Sequence, residues 1–259
     1  MKLCLVLVLM LAGVASGAIE KRIVGGKSCK QQRQYHVQIE AVQGGAFCGG
    51  SLINTRWVLT ASHCAEQLVK VRLGLNSDTS IFSKVKSFFK GSDKKNEQLI
   101  KKDQQFTFKD EEEHLHDIML IKLNEDASPK LATIKLPPAG CSRPEVGQQV
   151  EVGGWGAKTA DVTKAKSPSS LKCASTDIIA CGENDKPDSK YSSDETTTMC
   201  AFKPGVESCF GDAGTAVEYQ DLLHGIIVSK PVDNCAKMIV MQDICHYREW
   251  IDKTMMEHS

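Results

Sequence analysis

The cysteines constrain this chain more than any other feature: its 259 residues include 11 of them. One, Cys4, lies in an N-terminal segment built like an export signal. Lys2 supplies a positive start, Leu3 to Leu11 is apolar, and Ala15-Ser16-Gly17 offers small residues for cleavage before Ala18. The apolar run is too short for a membrane-crossing helix, so residues 1–17 read as a removable signal peptide and the protein as secreted. The other cysteines are then even in number, which in an exported chain implies disulfides. Spacing alone does not pair them. No CxxC or HExxH pattern is present, so the usual zinc-binding arrangements are absent from the sequence.

Composition excludes little beyond that. Basic and acidic residues balance at 32 each, which gives no bulk attraction to nucleic acid or membrane. Short β-type runs recur at Tyr35–Val42, Ser51–Thr60, Val69–Leu73, Ile118–Leu123, Gln149–Gly153, Leu223–Val228 and Met238–Met241, punctuated by Gly, Asn and Asp. Many short strands with turn signals predict a barrel or a sandwich. Helical period is clearest near 244–257, where Ile244, Tyr247, Trp250, Ile251 and Met255 share one face. Two segments are biased in charge: lysines crowd 84–102, and Asp110 to Glu113 is an unbroken acidic run.

The chemistry lies in separated motifs. Lys21-Arg22 precedes Ile23-Val-Gly-Gly26 and reads as a processing site. Thr60-Ala-Ser-His63-Cys64 sets a histidine after an apolar strand, His116-Asp117 heads another strand, and Ser208-Cys-Phe-Gly211-Asp212-Ala213-Gly214 is a tight glycine-rich turn. In this order, with Gly154-Trp-Gly156 between them, the motifs resemble the trypsin/chymotrypsin family over residues 23 to about 252. The resemblance implies an all-β fold of two six-stranded antiparallel barrels, at 23 to about 130 and about 131 to 245, with a C-terminal α-helix. It makes 18–22 an activation peptide and 23–259 one homology domain.

The resemblance also implies roles. His63 falls at the position of the general base and Asp117 at that of its orienting carboxylate. Ala213 falls at the nucleophilic serine, and a methyl group has no lone pair to attack with. The N–H groups of Gly211 and Ala213 occupy oxyanion-hole positions, and Ile23 and Asp212 are the activation pair. The specificity pocket is changed as well, with Glu207 at its floor, Lys230 at its mouth and Ile239 where a glycine is usual. An introduced serine-to-alanine replacement would explain Ala213 alone; so many changes around it argue for natural divergence. The expectation is a chain that is not an enzyme, its pocket blocked. The calcium loop has Leu75 and Val85 at its carboxylate positions, so no metal, and no cofactor, is expected. The implied bridges are Cys29–Cys173, Cys48–Cys64, Cys141–Cys245, Cys181–Cys200 and Cys209–Cys235.

Within the superfamily the pattern of losses looks most like the inactivated serine protease paralogues of parasitic (scabies) mites. That implies a secreted pseudoprotease, a monomer that binds proteins such as complement components and interferes with host defence. Partners are then proteins, with no nucleic acid and no membrane. The surface expected to bind is the lysine-rich segment, including Lys94, Lys95, Lys101 and Lys102. The competing expectations are a weakly active or altered-specificity serine endopeptidase, or a decoy for protease inhibitors.

Overall fold

The computed structural model describes residues 23–76, 96–157, 170–229 and 235–259. Val37 and Ile39 alternate with Gln38 and Glu40 in β2 (His36–Ala41), so one face turns inward. That strand lies between β3 (Phe47–Leu52) and β5 (Leu68–Arg72). The sheet continues from β3 through β4 (Trp57–Thr60) to β8 (Leu115–Lys122). β6 (Glu97–Lys101) and β7 (Gln105–Lys109) are consecutive pieces joined by a 3-10 turn, Lys102–Gln104. The first piece pairs with β5 and the second with β8, so together they act as one bent strand that turns the sheet back on itself.

The second sheet is a ring. β9 (Gln149–Gly154) pairs with both β10 (Lys172–Ile179) and β12 (Ala216–Tyr219), and β11 (Thr198–Phe202), β14 (Ile239–Asp243) and β13 (Leu222–Ile227) complete the circuit. Closure removes the open edges that invite association. The result is the expected two-barrel all-β architecture. One detail differs from the sequence-based division: β1 (Lys27–Ser28) attaches to β10 of the second barrel, not to the first. The Cys29–Cys173 bridge holds it there.

Among the described residues, three apolar clusters fill the interior. Val37, Val58, Met119 and Ile121 lie inside the first barrel, and Val152, Met199, Val217 and Met241 inside the second. The third joins Trp57, Leu59, Ile118 and Leu120 to Ile226, Val240 and Tyr247, and so fastens the barrels to each other and to the helix. β4 and β8 therefore bury both faces, which is why they read as unbroken apolar runs. Helix α1 (Ile244–Glu257) starts at Asp243, whose side chain accepts from the Cys245 N–H at 2.9 Å. Ile244, Tyr247 and Ile251 are buried, with Trp250 and Met255 packed beside them, as the helical period predicts. No helix among the described residues is long and apolar enough to cross a membrane.

Candidate active site

β4 ends at Thr60, and the chain enters a single 3-10 turn, Ser62–Cys64, that carries His63. Three ties set the turn. Thr60 Oγ1 donates to Gly49 O, Ser62 Oγ to Ile118 O, both at 2.7 Å, and Cys64 is bridged to Cys48. Asp117 is fully buried on β8, beside β4 in the same sheet. Its Oδ2 lies 2.7 Å from His63 Nδ1, and its Oδ1 accepts from the His63 N–H at 2.9 Å. The carboxylate therefore fixes both the ring and the backbone of the turn. With Nδ1 engaged, Nε2 is the nitrogen available for proton transfer.

The Cys209–Gly214 turn closes against this unit. Gly211 and Gly214 adopt positive φ of 91° and 80°. A Cβ at Gly214 would stand 2.2 Å from Thr60 Oγ1 and 2.3 Å from Gly49 O, so only glycine lets the turn sit against the His63 strand. Gly49 N–H donates to Ala213 O at 2.7 Å, while Asp212 and Gly214 N–H groups donate to Cys209 O and Ile227 O. No acceptor among the described residues takes the N–H of Gly211 or Ala213. Two adjacent unengaged donors are what an oxyanion would use. Ala213 is almost fully buried.

Behind the turn, Asp212 is fully buried. It accepts from Gly156 N–H at 2.7 Å and Cys209 N–H at 2.8 Å, and from the Ile23 N–H. Burial nevertheless pushes its pKa up to about 7. A Cβ at Gly154 would come within 1.9 Å of Asp212 Oδ1, so the Gly-Trp-Gly motif makes room for this carboxylate. Ile23 itself is completely buried.

The other expected positions divide. Ile239 is fully buried in one cluster with Val206, Ile227 and Met241. Glu207 is half-buried and its backbone bridges to Val24. Lys230 lies outside the described residues, as do Val85, Lys94, Lys95 and the rest of the lysine-rich segment before Asn96; Lys101 and Lys102 are described and exposed. Leu75 is exposed, and its side chain offers no carboxylate to a cation. Cys48, His63 and Cys64 crowd together like metal ligands, but the two sulfurs are bonded to each other and supply no thiolate. All five expected disulfides are present.

One contributor carries no motif, and one motif residue serves elsewhere. Tyr191 helps to line a cleft of about 300 Å3 beside His63, together with Glu66, Lys102 and Lys190. Burial raises the Tyr191 pKa to about 12, helped by the negative charge of Asp117. His116, next to Asp117, points the other way, its Nδ1 2.8 Å from Tyr247 Oη, and so anchors β8 to helix α1. A lone tyrosine in a polar loop gives sequence reasoning nothing to seize on.

Two barrels, with a histidine–aspartate pair on one and a donor-lined turn from the other closing on it, are the architecture of the serine-protease class. The sequence family described as trypsin matches residues 23–251, and this chain belongs to it. Rat kallikrein-8 is 33% identical, over 96% of this chain and 94% of its own length. Human serine protease 1 is 31% identical over 93% and 92%, and trypsin of Xenopus laevis 30% over 96% and 97%. Among solved structures, neuropsin, a serine protease expressed in the limbic system of mouse brain, shares 31% identity with a TM-score of 0.64, covering 89% of this chain and 98% of its own.

These relatives correct one expectation. Ala213 and the altered pocket predicted a chain that is no enzyme, yet the full-length matches are to kallikreins and trypsins and point to a protease. The physical reason lies in what that inference left out. It weighed the lost hydroxyl and the pocket changes, but not the acceleration over water that oxyanion donors and binding retain when the nucleophile is absent.

Proposed function

We propose that this chain is a serine-protease-family endopeptidase of altered chemistry, in which water replaces the missing hydroxyl. His63 Nε2 takes a proton from a water molecule as its oxygen attacks the peptide carbonyl. The oxyanion is held by the N–H groups of Gly211 and Ala213. The tetrahedral species then collapses, the C–N bond breaks, and His63 returns its proton to the leaving amine. Asp117 holds the imidazole in the required tautomer and stabilises its protonated form. The observation that carries this reading is the 2.7 Å His63–Asp117 contact beside the two unengaged donors.

Rate and specificity both follow. A triad hydrolase stripped of its nucleophile retains roughly 10³–10⁴-fold acceleration over water and loses about 10⁶ in turnover. Ile239 and Glu207, at pocket positions, argue for small or altered side chains ahead of the scissile bond. The test is hydrolysis of a panel of activated esters and peptides by the mature chain and by His63→Ala. Slow turnover that His63→Ala lowers further is expected. No turnover above background, or turnover indifferent to His63, overturns the reading.

The methyl at Ala213 favours a second reading, in which the main work is protein binding. Ala15-Ser16-Gly17 as a signal cleavage site and five disulfides support action outside the cell. The narrower resemblance to mite paralogues would make complement proteins the partners, met by a monomer. Capture from host serum by the mature chain, identified by mass spectrometry, tests it; complement components absent from the captured set would refute it.

A further inference from the structure

The second barrel has a break in its ladder. β10 pairs with β9 from Lys172 to Asp177. Its other edge is covered in two pieces: β1 lies beside Lys172 and Cys173, and β11 beside Asp177 to Ile179. No described strand flanks Ala174, Ser175 and Thr176 on that edge. The backbone direction there follows from antiparallel alternation. Leu171 O accepts from Cys29 N–H on the β1 side, and Ile178 N–H donates to Gln148 O on the β9 side. Odd-numbered residues of β10 therefore address the β1–β11 edge. Ser175 is the odd-numbered residue in the break, so its N–H and C=O point into it without a ladder partner.

The break opens into a cleft of about 860 Å3 that shares no lining residue with the cleft beside His63. Its walls carry Lys27, Lys30 and Lys203. No described carboxylate lies within ion-pair distance of these lysines. The one acid in the lining, Glu151, accepts from Ser175 Oγ at 2.5 Å. The cleft thus joins a backbone donor and acceptor that are unpaired among the described residues to an excess of positive charge.

We propose that this cleft binds an extended acidic peptide segment, which adds a strand at Ser175 and sets its carboxylates against Lys27, Lys30 and Lys203. Main-chain pairing supplies orientation and the lysines supply selectivity. Alternate side chains of a strand face one way, so the segment that fits carries acids at every second residue. This surface owes nothing to the hydrolytic centre and serves a binding role whether or not the chain cleaves peptides.

The experiment uses the mature chain and a fluorescein-labelled octapeptide of alternating Glu and Val, followed by anisotropy at low salt. Binding is expected, with little binding of the Lys-Val counterpart. The triple variant Lys27→Glu, Lys30→Glu, Lys203→Glu should weaken it about tenfold or more. Raising salt towards 1 M, where the screening length falls to about 3 Å, should do the same. A Glu-Val peptide N-methylated at alternate residues keeps its charge but loses one hydrogen-bonding edge, and should bind the unaltered protein at least tenfold more weakly. No binding at low salt, or equal affinity for the triple variant, overturns the site. Equal affinity for the N-methylated peptide overturns strand addition.

Discussion

Severing the chain after Arg22 should remove a pH-dependent instability centred on Asp212. In the uncut chain Ile23 offers this buried carboxylate a neutral peptide N–H, which with two other donors does not offset burial; the pKa rises from 3.8 to about 7. The folded state therefore holds a proton that the unfolded state releases above about pH 4. The stability this proton contributes is fully present below the unfolded pKa and is lost as pH rises through the folded one. Over three units at about 1.4 kcal/mol each, the loss comes to about 4 kcal/mol between pH 4 and pH 7. Cleavage would convert the Ile23 N–H to an ammonium, whose pairing with the ionised carboxylate should cancel the penalty. The assay is urea unfolding from pH 4 to pH 8 on two forms, one beginning at Ala18 with Arg22→Gln to block cleavage, the other beginning at Ile23. The blocked form should lose about 4 kcal/mol more than the cut form across that range, and Asp212→Asn in the blocked form should flatten the difference. Equal pH dependence in the two forms, or no effect of Asp212→Asn, would refute the reasoning.

Ala213→Ser should raise turnover at least 100-fold on substrates with a small residue before the scissile bond, and adding Ile239→Gly should extend this to larger ones; steady-state kinetics on matched peptides checks both. Replacing Cys29 and Cys173 by serine opens a link between positions 144 residues apart, which in the chain-entropy model costs about 5 kcal/mol, read as a lower urea midpoint. Arg33 is nearly buried, donates to Ala216 O and Glu151 O, and meets Glu218 at 3.0 Å. Arg33→Ala leaves that carboxylate without its cation, with only the Tyr35 hydroxyl donating to it, and should destabilise by about 3–5 kcal/mol, with Arg33→Lys intermediate, as calorimetry would show.

Some of this was written in the order of residues. Local period determined the C-terminal helix, because a stripe at 244, 247 and 251 has only one face to bury. Motifs too short to mean much alone determined the family once their order was read, and with it the bridges and the positions His63, Asp117 and Ala213. Other strands were illegible. β10 carries Lys172, Ser175 and Asp177, and neither of its faces is apolar throughout. Ser51–Thr60 reads as one strand, yet the chain turns between β3 and β4, where Asn54 Oδ1 accepts from the Arg56 N–H at 2.8 Å, a side-chain bond that composition does not announce.

What only the tertiary structure decided are relations between distant residues. Arg33 is a buried clamp because its partners at 151, 216 and 218 arrive from β9 and β12. The break beside Ser175 exists only because β1 and β11 stop short of each other along β10. The active centre makes the same point. The residue at 213 is legible as one letter, but its turn closes on Thr60 only because Gly214 has no Cβ, which would stand 2.2 Å from Thr60 Oγ1. Side-chain identity is local and can be read along the chain; the direction of a backbone N–H or the company of a buried charge depends on segments that meet only when the barrels form.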